Sequence, residues 1–177
     1  MKKLFLVPAV AAMFLMAACG GSQNAENNNT ANAETESTAP AEAEVSVPGI
    51  ENEEVTNHIQ LEGSDNMKFN KDLFRIKAGE EVQLTLKNVG ELPVESMGHN
   101  AVVLLPGTDV AAFGGEAAKA ADHIPATFTS SIVAHTKLLG PGEEDTITFT
   151  VDEAGVYEFV CSFPGHWGTM RGKIVAE

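Results

Sequence analysis

Beyond residue 54 the chain alternates apolar and polar positions in short runs, the period-2 signature of strands with one buried face. Residues 55–61 open the series, and Gly63, Ser64, Asp65 and Asn66 make a turn. Phe69 and Asn70, then Leu73, Phe74, Arg75 and Ile76, form a second extended piece, and after a turn at Ala78, Gly79 and Glu80 residues 81–87 alternate as a third strand. Residues 100–105 are almost continuously apolar, which suits a strand buried between two sheets. Alanine-rich residues 108–122, interrupted by Gly114 and Gly115, leave the β pattern and predict one or two short helices capped by Thr108 or Asp109. Strands resume at 131–135, 145–151, 155–161 and 173–175. Short strands at this spacing predict an all-β fold, a Greek-key β-sandwich over residues 55–177 with a short helical insertion.

The opening residues follow a different logic. Lys2 and Lys3, a short apolar run and small residues before Cys19 have the layout of a secretory signal, too short and wrongly flanked for a permanent span. The cysteine at the cleavage point resembles a bacterial lipobox, with Met16 where that motif usually has leucine. That resemblance implies removal of residues 1–18, lipidation of Cys19 and, through Gly20, sorting to the outer membrane. Residues 20–54 carry no aromatic residue, Lys or Arg, so they cannot bury enough apolar surface to offset their chain entropy. Residues 19–54 therefore read as a lipidated, disordered tether, rich in Asn, Ala, Glu and Pro, with a reach of about 30 to 35 Å.

Charge narrows the partners. The net charge is -14, and loss of Lys2 and Lys3 leaves nine Lys and Arg against 25 Asp and Glu, or -16. No basic stripe exists to neutralise phosphates, which argues against nucleic acid. There are two cysteines. With Cys19 acylated, Cys161 has no partner for an internal disulfide, which leaves metal binding, reactivity or inert burial.

Cys161, His166 and Met170 lie within ten residues, in one connection between two predicted strands. A thiolate and imidazoles with a distant thioether are the donor set that selects copper for electron transfer; zinc would normally want a fourth strong ligand or water. At least one further donor must come from elsewhere in the chain, and His99, in Met97-Gly98-His99-Asn100 ahead of the apolar strand, is the candidate. His58, His123 and His135 show no ligand spacing.

The motifs Asp65-Asn66-Met67-Lys68-Phe69-Asn70, Leu92-Pro93, Met97-Gly98-His99-Asn100, Ala134-His135-Thr136-Lys137-Leu138 and Cys161-Ser162-Phe163-Pro164-Gly165-His166 resemble those of the cupredoxins, and among them the azurins. With the lipobox and tail, the chain is similar to the lipid-modified azurins of bacterial outer membranes. The resemblance implies one type 1 copper ion held by His99, Cys161 and His166 in a trigonal plane, with Met170 and the Gly98 carbonyl as weak axial ligands. It also implies that Asn100 ties the His99 segment to the Cys161 loop and that the Phe163 amide points towards the thiolate. Met67, Leu92, Pro93, Met97, Phe163, Pro164 and Gly165 would surround the edge of His166 as an apolar docking patch.

The departures from the family pattern also set expectations. The positions of the usual azurin disulfide are Asn57 and Glu80, the position of the histidine behind pH-dependent behaviour in some azurins is Asn88, and that of the core tryptophan is Ala101. The one tryptophan, Trp167, lies in the ligand loop and implies different packing around the copper face. The expected function is one-electron transfer by a monomer between redox partners such as c-type cytochromes or a copper-containing reductase. It is not enzymatic, because a fully ligated ion offers no place to transform a substrate. The alternatives are a copper-sequestering or oxidant-protective surface lipoprotein and a zinc enzyme with water as the fourth ligand.

Overall fold

The computed structural model describes residues 47–177. The expected signal segment (1–18), the expected lipidation site Cys19 and most of the stretch read as a tether lie outside the described residues. Among the described residues, nine strands run in the order β1 (His58–Ser64), β2 (Lys68–Phe69), β3 (Leu73–Ile76), β4 (Glu81–Asn88), β5 (Val102–Leu104), β6 (Ile132–His135), β7 (Glu144–Thr150), β8 (Gly155–Val160) and β9 (Arg171–Ala176). Helix α1 (Val94–Met97) precedes β5, and α2 (Val110–Ala117) follows it.

The strands form a four-stranded sheet, β2-β1-β4-β7, and a five-stranded sheet, β3-β9-β8-β5-β6. Pairing is antiparallel except for β1 with β4 and β3 with β9. Ile59, Leu61, Leu84 and Leu86 of the first sheet meet Phe74, Ile76, Phe159 and Ile174 of the second in one buried core. This is the sandwich that the alternation predicts, because residues two apart on a strand share a face.

Several boundaries differ from the sequence reading. The first strand begins at His58, and Val55 makes only an isolated bridge to Arg75. Gly63 and Ser64, read as turn residues, complete β1 and pair with Phe69 and Lys68. The end assigned to the tether is structured from Val47, which is buried, and a 3-10 turn at Ile50–Asn52 precedes an ion pair between Glu53 and Lys71. Helix α2 runs through Gly114 and Gly115. The Asp109 carboxylate caps it, accepting from the amides of Ala111 and Ala112 at 2.9 and 3.0 Å, while Val110, Phe113 and Ala117 bury its inner face. Cap and burial together outweigh the roughly 1 kcal/mol that each interior glycine costs.

Phe159 sits at the junction of the layers, its ring centroid 5.4 Å from Phe69 and 5.9 Å from Phe74. The bare Cα of Gly172 lets β9 pass it, since a Cβ there would collide with the Phe159 ring and the Asp72 carbonyl. Replacing Phe159 with Ala should destabilise the domain by about 3–5 kcal/mol. Urea unfolding of the metal-free protein checks this; an unchanged midpoint would mean that the junction is not packed as described.

Candidate metal centre

Two separate stretches meet at one end of the sandwich. His99 lies between α1 and β5, and an antiparallel bridge fixes its backbone: its N–H donates to the Leu139 carbonyl at 3.1 Å and its carbonyl accepts from the Leu139 N–H at 2.8 Å. Cys161 follows β8 directly, and its N–H donates to the Met170 carbonyl at 2.9 Å, closing the base of the loop between β8 and β9. Inside that loop the His166 carbonyl accepts from the amides of Thr169 and Met170, and the His166 amide donates to the Phe163 carbonyl. The Asn100 side chain clasps the two stretches together. Its Nδ2 donates to Ser162 Oγ at 2.7 Å, and its Oδ1 accepts from the Ser162 amide at 2.8 Å.

Cys161 Sγ lies 3.5 Å from His166 Nδ1, 4.0 Å from His99 Nδ1 and 3.9 Å from the Gly98 carbonyl oxygen. All three strong donors fall within 4.8 Å of one another and all are buried. Imidazole and thiolate bonds of about 2.0 and 2.3 Å to one ion at 120° separate nitrogen from sulfur by about 3.7 Å. The spacing therefore fits three ligands around a single ion. Met170 is fully buried in the same apolar cluster as Cys161 and Phe163.

Burial pushes the Cys161 thiol up to about 11, against the opposing effect of the Asn100 and Phe163 amides. His166 falls to about 4, through burial and then the neighbouring His99, and burial also lowers His99. The Ser64 carbonyl opposes that last shift, yet His99 Nε2 is buried with no hydrogen-bond partner. The metal-free pocket thus prefers a neutral thiol and neutral imidazoles. Loading a cation must release the thiol proton, and the two neutral rings are ready to bind.

The structure brings His99, Cys161, His166, Met170 and Gly98 together. The surface around them is mixed: Leu92 is 44% and Met67 38% exposed, Pro93, Pro164 and Gly165 are exposed and Met97 is half-buried. Phe163, by contrast, is buried, and His166 retains 2% exposure. His58 and His135 are exposed and lie outside the ligand cluster. His123 is neither a surface residue nor a satisfied core one: its ring meets Phe163 edge-on at 5.2 Å, and its Nδ1 is buried without a partner.

Two glycines matter for approach. A Cβ on Gly98 would crowd the Val94 carbonyl at 2.8 Å and Leu138 at 3.0 Å. A Cβ on Gly63 would lie 2.9 Å from the Met170 methyl carbon and 3.0 Å from the His99 ring. The sequence reading places Gly63 in a turn, although a glycine within a strand pattern is a recognised sign of close approach.

Residues 55–177 match the model of the copper binding proteins, plastocyanin/azurin family. The chain belongs to that family. It is 40% identical over 122 residues to the azurin of Alcaligenes faecalis, covering 66% of this chain and 94% of that one. It is 41% identical over 118 residues to outer membrane protein H.8 of Neisseria gonorrhoeae, covering 64% of each. Among solved structures it resembles dithionite-reduced auracyanin from Roseiflexus castenholzii, with a TM-score of 0.63 and 33% identity over 70% of this chain and 99% of the other. Copper is the cofactor, as a type 1 ion, and the buried thiol and imidazoles fit it.

The protonation preferences carry a test. Between pH 6.5 and about 4 the unfolded chain protonates His166 while the folded, metal-free protein does not, so stability falls as the pH drops through that window. The gap corresponds to at most about 3 kcal/mol, reduced by solvent screening at the loop surface. Urea midpoints of metal-free protein at pH 7 and pH 4 should show the loss, and a His166→Gln variant should lose less. Equal losses in the two proteins would place the protonation elsewhere.

Proposed function

We propose that this protein is a membrane-anchored blue copper protein that passes single electrons between periplasmic redox partners, with His99, Cys161 and His166 as the strong ligands and Met170 and the Gly98 carbonyl as weak axial ones. The observation that carries the reading is the convergence of one thiol and two imidazole Nδ1 atoms in a buried pocket, with a buried thioether and a bare glycine carbonyl beside them. Bound copper would supply a one-electron couple, Cu(I) and Cu(II), at a site without an open position for substrate. The chain's own task is to hold the donors still. The Asn100 clasp, the His99 bridge and the closed loop base fix all three, so a change of charge meets a site that is already arranged.

Exposed Met67, Leu92, Pro164 and Gly165, with Val89, offer apolar surface on connections tied to one another, suited to brief contact with a partner such as a c-type cytochrome or a copper-containing reductase. Met67 takes a left-handed backbone, with φ 54, in the three-residue turn between β1 and β2. A non-glycine residue there carries a strain of about 1–3 kcal/mol, which places its thioether on that surface. The reading extends to a monomer held at the outer membrane through lipid on Cys19. The likeness to outer membrane protein H.8 supports that location. It equally favours a second reading, a surface lipoprotein that sequesters copper or consumes oxidants. Fast reversible reduction by a c-type cytochrome in stopped flow supports electron relay, and copper binding without such exchange supports sequestration.

Protein loaded with Cu(II) should show an intense visible thiolate-to-copper band, absent from a folded Cys161→Ser variant. A colourless tetragonal cupric centre in the parent protein would refute the ligand assignment. For the anchor, bacteria expressing the full chain and fed labelled palmitate should label the parent protein and not Cys19→Ala. Equal labelling of both would remove Cys19 as the attachment point.

A further inference from the structure

Trp167 and Phe163 flank the ligand loop's histidine in sequence, and both side chains are held by the same distant segment. On one side the Trp167 indole lies against α2 where Gly114 has no side chain: a Cβ at Gly114 would overlap Cγ, Cδ1 and Nε1 of the ring. Trp167 packs there with the buried cluster of Val110, Phe113 and Ala117. On the other side His123, six residues beyond α2, meets the Phe163 ring edge-on at 5.2 Å, and Phe163 in turn lies 4.8 Å from the His166 ring. His123 takes a left-handed backbone, with φ 60, a conformation that costs a non-glycine residue energy. The carboxylate of neighbouring Asp122 accepts from the Ile124 amide at 3.0 Å and steadies that turn.

We propose that α2 and the turn after it act as a brace that positions the copper ligand His166, gripping the loop through Trp167 on Gly114 and through Phe163 against His123. The inference rests on His166 being a ligand. The core between the sheets contains none of Gly114, His123 or Trp167, and Trp167 packs, half-buried, on the second cluster, which joins α2 to Val102, Leu104 and Val160. Their position suits a different task. Hydrogen bonds of loop residues 162–169 stay within the loop apart from those of Ser162 with Asn100 and of Thr169 Oγ1 with the Met67 carbonyl, so the side-chain grips on Phe163 and Trp167 hold the stretch between those two ties. Outer groups that orient a ligand change metal affinity by roughly 10- to 100-fold when removed.

Gly115 provides the control. It is adjacent in the same helix, and a Cβ added to it meets nothing within 4 Å. Gly115→Ala and Gly114→Ala therefore make the same change in helix propensity, and only the second pushes on Trp167. Copper-loaded full-length protein is compared as parent, Gly115→Ala, Gly114→Ala, Trp167→Ala and the Gly114→Ala/Trp167→Ala double variant. The readouts are the cupric hyperfine pattern, the reduction potential and Cu(II) loss to a chelator. Gly115→Ala should match the parent. Gly114→Ala should shift the hyperfine pattern and potential and retain Cu(II) about tenfold less well. In the Trp167→Ala background, Ala at 114 should add nothing further, because the two sites act as one contact.

The brace is overturned if Gly114→Ala matches Gly115→Ala in every readout, or if its full effect persists without the indole. Should Gly114→Ala fail to fold, His123→Asn decides. Asparagine tolerates the left-handed backbone but removes the ring, so the same spectroscopic shift supports the brace and a parent-like spectrum refutes it. Failure of the ligand assignment itself looks different, since the parent protein would then lack the visible band that depends on Cys161.

Discussion

A thiol and two imidazoles packed within 4.8 Å of one another, almost wholly removed from water, form the arrangement on which the rest of this molecule depends. Without a cation these groups stay neutral, because burial disfavours the Cys161 thiolate and the His166 imidazolium, and they give the fold no ionic attraction to rest on. The fold must therefore be stable before the metal arrives. It achieves this by separating the two tasks: the main core fills the space between the sheets, while Cys161, Phe163 and Met170 form their own small cluster at one end. The ladders beneath fix the strand ends, and the loops on top need supply only position.

The fold class was legible because alternation over residues 81–87 and 145–151 leaves few options for which face is buried, and burial there follows the pattern. The local half of the site was legible too, since Cys161, His166 and Met170 share one loop and their donor types narrow the choice of metal. His99 was a candidate by elimination and by resemblance; its distance from Cys161 depends on how β5 pairs with β8, where Val102 faces Val160. What stayed hidden were absences. Gly63 and Gly114 matter because of what lies opposite them, the Met170 methyl group and the Trp167 indole, and no local pattern encodes a neighbour about 50 to 110 residues away. Helix α2 contradicted its own glycines for a related reason. Tertiary burial of Phe113 and Ala117 outweighed propensity.

The exposed apolar residues are not loose ends of mobile loops. Asp65, in the turn that carries Met67, accepts from the Glu91 amide at 2.9 Å and the Leu92 amide at 3.5 Å. Thr169 Oγ1 donates to the Met67 carbonyl at 3.3 Å, joining the same turn to the ligand loop. Val89, which the sequence did not single out, donates its amide to the Gly63 carbonyl at 2.8 Å, one backbone layer from the His99 ring. Three connections are thus cross-tied into one surface. A surface ordered in advance loses little conformational freedom on contact, which favours encounters that are specific and short.

The same economy explains Asn88. It is buried at the end of β4, where its Nδ2 donates to the Leu139 carbonyl at 3.0 Å and its Oδ1 accepts from the Gly90 amide at 2.9 Å. The Leu139 carbonyl is also the acceptor for the His99 amide, so one oxygen links the end of a central strand to the backbone of a candidate metal ligand. An amide side chain serves here because it donates and accepts at once and carries no charge that changes between pH 4 and pH 9. The support it gives His99 is therefore independent of pH.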